Sequence, residues 1–229
     1  MLRRQLRVAL LGLVLGGAAF YAGTHLVAPR TVAVHPLTGR RIAGVATDQS
    51  WLDRAEREQE EAPERALDLI GLEPGMVVAD IGAGSGYLTT RIAARVGPTG
   101  VVYANDIQPA MLETIDRKAR AAGLANVRLV QGTQIDARLP DAAVDLALMV
   151  DVYHEMAHPQ EMLRSIRRAL KPSGRLVLIE YRGEDPRIPI APTHRMTVAD
   201  VRAEVQAEGF TFDRVIEELP RQHIISFRR

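Results

Sequence analysis

Residues 80–87 of this 229-residue chain, Asp80-Ile81-Gly82-Ala83-Gly84-Ser85-Gly86-Tyr87, have the types and spacing that most directly imply chemistry. The apolar run Val77–Ile81 leads through an acidic residue into alternate glycines. Glycines there let a ligand approach the backbone where a side chain would collide with it or forbid the required dihedrals. The next apolar run closes on Asn105-Asp106-Ile107, near the ~20-residue offset at which a carboxylate accepts both hydroxyls of an adenosine ribose. In a dinucleotide fingerprint the third glycine falls three residues after the second, to admit a pyrophosphate at a helix N-terminus. Here it falls at Gly86, two after Gly84, and Tyr87 follows. Asp80 would repel a pyrophosphate and favour a ligand with a cationic amino or sulfonium group.

A second constellation is Asp151-Val152-Tyr153-His154-Glu155, after the fourth apolar run, Val144–Val150. Ligands of open α/β sheets bind beyond the carboxyl ends of the strands, so these residues should face the reacting group. His154 is the candidate base and Tyr153 a second catalytic candidate, against the plainer readings of a strand-end hydrogen bond and a core aromatic. Asp151 would contact the ligand or a polar acceptor. His154-Glu155-Met156-Ala157-His158 also matches the H-E-x-x-H pattern of zinc peptidases, with Glu180 downstream as a possible third ligand. Both histidines must then share one helix face, yet Pro159 would clash with the carbonyl four residues earlier if a helix continued through it. No metal is expected.

These residues require a scaffold of alternating strands and helices. The pattern predicts strands at Val77–Ile81, Val101–Asn105, Val127–Val130, Val144–Val150 and Arg175–Glu180. Helices are predicted at Leu88–Val96, Pro109–Ala122, Pro159–Leu170 and from Thr197 to about Glu208. Continuous Val, Ile and Leu runs between amphipathic helices imply a parallel sheet covered on both faces. The short link between Phe210–Ile216 and His223–Phe227 can join only antiparallel neighbours. The expected fold is α/β: a doubly wound, mostly parallel seven-stranded sheet with an antiparallel C-terminal hairpin. Before it, Leu52–Glu61 and Pro63–Ile70 read as a helical cap over 51–71. The long connection Tyr181–Met196 is either a substrate rim or a solvated loop.

With these residues in view, the chain from about 63 to 229 resembles the class I, Rossmann-like S-adenosylmethionine-dependent methyltransferases. The resemblance rests on Asp80-Ile81-Gly82-Ala83-Gly84-Ser85-Gly86, Asp106, Asp145-Leu146-Ala147-Leu148, Leu170-Lys171-Pro172-Ser173-Gly174-Arg175-Leu176 and the closing hairpin. It implies S-adenosylmethionine as cofactor, with Asp80 at the methionine amino group, Gly82, Ala83, Gly84, Gly86 and Tyr87 along the ligand, and Asp106 and Ile107 at the ribose. Many relatives place an acidic residue directly after the glycine that follows strand three, to meet the adenine amino group. Here Gly132 is followed by Thr133-Gln134, so Gln134 or Asp136 takes that role. The Asn/Asp-Pro-Pro-Tyr/Phe sequence of nucleobase and amide methyltransferases is missing, which leaves a small-molecule or lipid-like acceptor. A non-catalytic binding module, a nicotinamide oxidoreductase and a zinc hydrolase are the competing readings.

Composition agrees with one globular domain: 47% hydrophobic and 25% charged residues, with a net charge of +1, give no basic footprint for nucleic acid. Cysteine is absent, which excludes disulfides and thiolate chemistry. Residues 8–27 are uncharged, and about 20 residues at ~1.5 Å each match a ~30 Å hydrocarbon core. Residues 1–28 therefore read as a hydrophobic helix, an anchor or a signal segment; 29–50 as a linker or extended arm; 51–229 as the catalytic domain. Arg3, Arg4 and Arg7 before the run are countered by Arg30, Arg40 and Arg41 after it, so orientation is weakly set. The expected placement is membrane-associated with a cytosolic domain, the alternative being export. Oligomeric state is not encoded legibly.

Overall fold

In the computed structural model, which describes residues 33–229, seven strands form one sheet in the order β3-β2-β1-β4-β5-β7-β6. They are β1 Val77–Ile81, β2 Val101–Asp106, β3 Val127–Gln131, β4 Val144–Val150, β5 Leu170–Tyr181, β6 Thr211–Ile216 and β7 Gln222–Arg228. β1 to β5 pair in parallel, whereas β7 runs antiparallel to both β5 and β6, as the short link around Pro220 requires. Strand order reverses beside β1, which pairs with β2 on one side and β4 on the other. The crevice at their carboxyl ends is where such sheets bind ligands.

Helices α1 Gln49–Leu52, α2 Arg57–Glu60, α3 Pro63–Ile70, α4 Thr89–Val96, α5 Pro109–Ala121, α6 Pro159–Ala169 and α7 Val198–Ala207 cover the sheet. One face packs Met149, Leu163, Ile166, Leu178 and Phe227; the other packs Leu67, Ile70, Ile92, Leu148 and Ile224. Each side chain is removed from water, worth ~25 cal/mol per Å² of apolar surface. α3, α5 and α6 begin with proline, whose missing N–H costs nothing in a first turn.

Three expectations change. The single helix Leu52–Glu61 is instead two four-residue helices separated by 53–56. Asp48 caps the first by accepting from the Ser50 and Trp51 N–H groups, while Arg57 at the start of the second donates to the Leu52 carbonyl at 2.7 Å. β5 starts at Leu170 rather than Arg175, because Val144 pairs with Leu170 before the register shifts; Pro172 forces extended backbone on its predecessor. Over 33–48 the stretch read as linker or arm is packed: His35 is buried, Arg40 Nε lies 2.9 Å from Glu204 Oε1 on α7, and the Ala43 N–H donates to the His154 carbonyl at 3.0 Å. The hydrophobic run 8–27 lies outside the described residues. Among the described residues, no helix is long and apolar enough to cross a membrane.

Candidate active site

One wall of a cleft of about 440 Å³ is the turn that leaves β1. Gly82 has φ +66°, and a Cβ there would sit 2.3 Å from Val152 Cγ2. Its glycine character is thus set by the close approach of the segment after β4. Gly84 donates its N–H to Asp106 Oδ2 at 2.9 Å, and Gln108 N–H donates to Asp106 Oδ1 at 2.8 Å. Two backbone donors thereby aim the Asp106 carboxylate into the cleft beside Ile107 and Ala83. Burial raises the Asp106 pKa, opposed by those N–H groups. Asp80 lies below the turn and accepts from Thr89 Oγ1 at 2.6 Å; burial pushes its carboxyl up from an ordinary 3.8 to about 6.

Gly86 departs from its expected role. It does not line the cleft; a Cβ there would meet Ile115 Cγ1 of α5 at 2.8 Å, so it serves helix packing. Tyr87 does line the cleft, with its hydroxyl donating to Glu58 Oε1 at 2.6 Å and the guanidiniums of Arg57 and Arg91 each 4.1 Å from its ring centre. Thr133 and Gln134 reach the cleft, whereas Asp136 does not. Asp136 instead accepts from Ser165 Oγ at 2.6 Å and Arg138 N–H at 2.8 Å. Of the two residues weighed for the adenine edge, Gln134 alone is placed at the cleft.

The facing wall comes from the end of β4. Asp151 adopts φ 51°, a left-handed conformation that few non-glycine residues take. Its Oδ2 accepts from Gln222 Nε2 at 2.6 Å, while Oδ1 is buried with no hydrogen-bond partner among the described residues. Burial, then Glu61 and Glu180 nearby, raise its pKa well above the usual range. Glu61 itself is held by Arg54, Arg57 and the Tyr181 hydroxyl. Trp51, Leu52 and Arg54 complete this side. Glu58, Glu60 and Glu61 beside this wall are paired with Arg91, Arg221, Arg54 and Arg57.

His154 lies in a 3₁₀ turn, Tyr153–Glu155, and its Nδ1 is 2.6 Å from Glu180 Oε2. Glu180 is fully buried on β5 and also accepts the Tyr153 N–H at 2.9 Å. A carboxylate only accepts, so Nδ1 carries the hydrogen and Nε2 turns toward His194 Nδ1, 3.1 Å away. Burial would depress the His154 pKa, but Glu180 overcomes it and the net shift is upward. His194 shifts downward through burial and through His154. Glu155 lines the cleft with its Oε2 accepting the Ala46 N–H at 3.1 Å, and burial raises its pKa.

Tyr153 is a correction. Its side chain is fully buried beside Arg40 and Glu204 on the far side of the turn, outside the cleft. In a 3₁₀ turn of about three residues per revolution, adjacent side chains diverge, so only one of Tyr153 and His154 can face the ligand. His158 is exposed at the start of α6, with Pro159 as that helix's first residue, and the two histidines of H-E-x-x-H do not share a helix. His194, from the Pro192–His194 turn of the long rim connection, reaches the site across 40 residues of sequence. Only its presence in that long connection hinted at it.

Residues 72–221 match the family model described as a methyltransferase domain. The chain is 37% identical over 116 residues to the ubiquinone/menaquinone biosynthesis C-methyltransferase UbiE of Ectopseudomonas mendocina, a match covering 50% of this chain and 45% of that protein. The same-named protein of Pseudomonas fluorescens is 36% identical over 117 residues, covering 51% and 46%. The chain thus spans about half the length of the curated relatives it matches. A SAM-dependent methyltransferase structure from Aquifex aeolicus superposes with TM-score 0.74 at 29% identity, covering 80% of this chain and 98% of that one. A Mesorhizobium loti S-adenosylmethionine-dependent methyltransferase superposes with TM-score 0.59 at 19% identity, covering 75% and 99%; at that identity the likeness shows the fold alone.

Proposed function

This chain belongs to the methyltransferase-domain family, and we propose that it moves the methyl group of S-adenosylmethionine onto a small, lipid-like phenolic acceptor. The observation that carries the reading is one cleft with two chemically different ends: Asp106 fixed by loop N–H groups at one, and the His154–Glu180 pair at the other. When bound, S-adenosylmethionine supplies a methyl group on positively charged sulfur, open to in-line displacement. The residues fit such a group. Asp106 offers a carboxylate to ribose hydroxyls, Gln134 an amide to the adenine edge, Asp80 negative charge for an ammonium or sulfonium, and Asp151 Oδ1 an acceptor oxygen beside it.

The phenolic acceptor is inferred from the names of the UbiE relatives and from the buried His154 and Glu155 with the half-buried His194 at the far end. A phenol hydroxyl there gives its proton to this group. The activated ring carbon then takes the methyl group as the sulfur–methyl bond breaks, the neutral thioether S-adenosylhomocysteine leaves, and the ring carbon gives its own proton to water. Alignment supplies most of the barrier reduction in such a displacement, and proton removal adds a smaller factor.

Calorimetric titration with S-adenosylmethionine, S-adenosylhomocysteine and NAD, followed by mass spectrometry of demethylated quinol analogues after incubation, tests this. Both adenosyl ligands should bind, and an analogue should gain one methyl group. Binding of NAD alone would overturn the reading. Tight S-adenosylmethionine binding with no transfer to any acceptor would favour a binding module. We also propose that residues 8–27 anchor the chain, with the domain on the cytosolic side where the cofactor is made. The support is their uncharged composition; protease accessibility in intact cells and spheroplasts tests it.

A further inference from the structure

We propose that His154, Glu155 and His194 form a binding site for one divalent transition-metal ion of the zinc class at the acceptor end of the cleft. Their potential ligand atoms all lie within 4.8 Å of one another. His154 Nε2 and His194 Nδ1 are 3.1 Å apart, and Glu155 Oε1 is 3.9 Å from His154 Nε2. Two ligands of a tetrahedral ion with ~2.0–2.1 Å bonds are about 3.3 Å apart. The two nitrogens already have that spacing, and a modest turn of the Glu155 carboxyl completes it.

The surroundings agree. Glu180 Oε2 fixes His154 at Nδ1, leaving Nε2 for the ion, in the carboxylate–histidine–metal arrangement that orients ligating imidazoles. Ala46 N–H occupies Glu155 Oε2, leaving Oε1 to face the two imidazoles. Two histidines and one carboxylate suit zinc with a fourth position open, and all three residues line the cleft. The H-E-x-x-H resemblance thus holds two of its three specified members: His154 and Glu155 belong to the set, while His194 from the rim replaces the exposed His158. The ion's part in transfer rests on the function proposed above, and with the ion bound its three ligands no longer take the proton themselves: an acceptor hydroxyl in the fourth position gives its proton to water and is held as the oxyanion. The existence of the site does not rest on that function.

The test uses the full chain in detergent, stripped with a chelator and titrated with zinc against a chromophoric competitor and with cobalt(II) by visible absorption. Saturation at one ion per chain is expected, with cobalt bands of tetrahedral intensity. His194→Ala and Glu155→Gln should each weaken binding at least about tenfold, Glu180→Gln about 10–100-fold, and His158→Ala not at all. S-adenosylmethionine calorimetry and circular dichroism on each variant report the intact fold. No saturable binding, or equal affinity in wild type, His194→Ala and Glu155→Gln, overturns the site. Zinc binding without S-adenosylmethionine binding would leave the site standing and sink the methyl-transfer reading.

Discussion

Glu180 Oε2 lies 2.6 Å from His154 Nδ1, and Glu180 Oε1 accepts the backbone N–H of the preceding residue at 2.9 Å. One buried carboxylate therefore fixes both the ring and the main chain of the turn after β4. Glu180→Gln keeps two polar atoms but loses the charge. Methyl transfer should fall about 10–100-fold in kcat, with the calorimetric Kd for S-adenosylmethionine unchanged. A matching loss of cofactor affinity would mean that the pair only holds the fold.

Asp106 is expected to dominate ribose recognition. Asp106→Ala should weaken S-adenosylmethionine binding by roughly 1.5–3 kcal/mol, the worth of hydrogen bonds to a charged group. Asp106→Asn should lose less, since its amide oxygen still accepts one loop N–H. Titration calorimetry decides, and unchanged affinity in the alanine variant would remove the ribose assignment.

Asp80 gives a pH signature. Its folded-state pKa is raised from 3.8 to about 6 by burial, so the folded chain holds this proton more tightly than the unfolded one. Its contribution is most favourable below the ordinary pKa, declines as pH rises from 3.8 to about 6, and is level above that. At ~1.4 kcal/mol per unit the decline is on the order of 2–3 kcal/mol. Asp80→Asn should flatten that part of the urea-unfolding profile and be more stable than wild type at neutral pH, yet bind S-adenosylmethionine more weakly. A parallel pH profile in the variant would assign the slope to other carboxylates.

Gly82 should not tolerate a side chain. Gly82→Ala places a methyl 2.3 Å from Val152 Cγ2 at φ +66°, adding a clash to a backbone cost of about 1–2 kcal/mol. Adding Val152→Ala should recover the clash and leave the backbone cost. Denaturation midpoints of the single and double variants measure the two parts, and a single variant as stable as wild type would contradict the packing described.

The cofactor wall was legible in the sequence because it is local: a strand end, a tight turn and the next strand end place Asp80, Gly82, Gly84 and Asp106 by chain geometry alone. The Asp136 and Gln134 alternatives could not be separated locally, since the turn 133–136 decides which side chain reaches the cleft, and Ser165 on a distant helix draws Asp136 away. His194 was harder still: its connection has no periodicity, and its position depends on packing against the turn after β4. Tyr153 and His154 are neighbours in sequence with opposite surroundings, which no residue type announces. The break between Leu52 and Arg57 was hidden because the residues there favour helix, and a tertiary network of arginines overrides that preference.

The arm at residues 33–48 hydrogen-bonds to the His154 carbonyl through Ala43 and to the Glu155 carboxylate through Ala46, and is clamped to Glu204 by Arg40. A truncation beginning at Trp51, where sequence pattern alone would cut, would keep every strand and major helix yet remove the brace behind two residues of the reactive end. Such a fragment would be a sound fold with a loosened jaw. Any tension entering the domain from its N-terminal side would meet that jaw before it met the sheet.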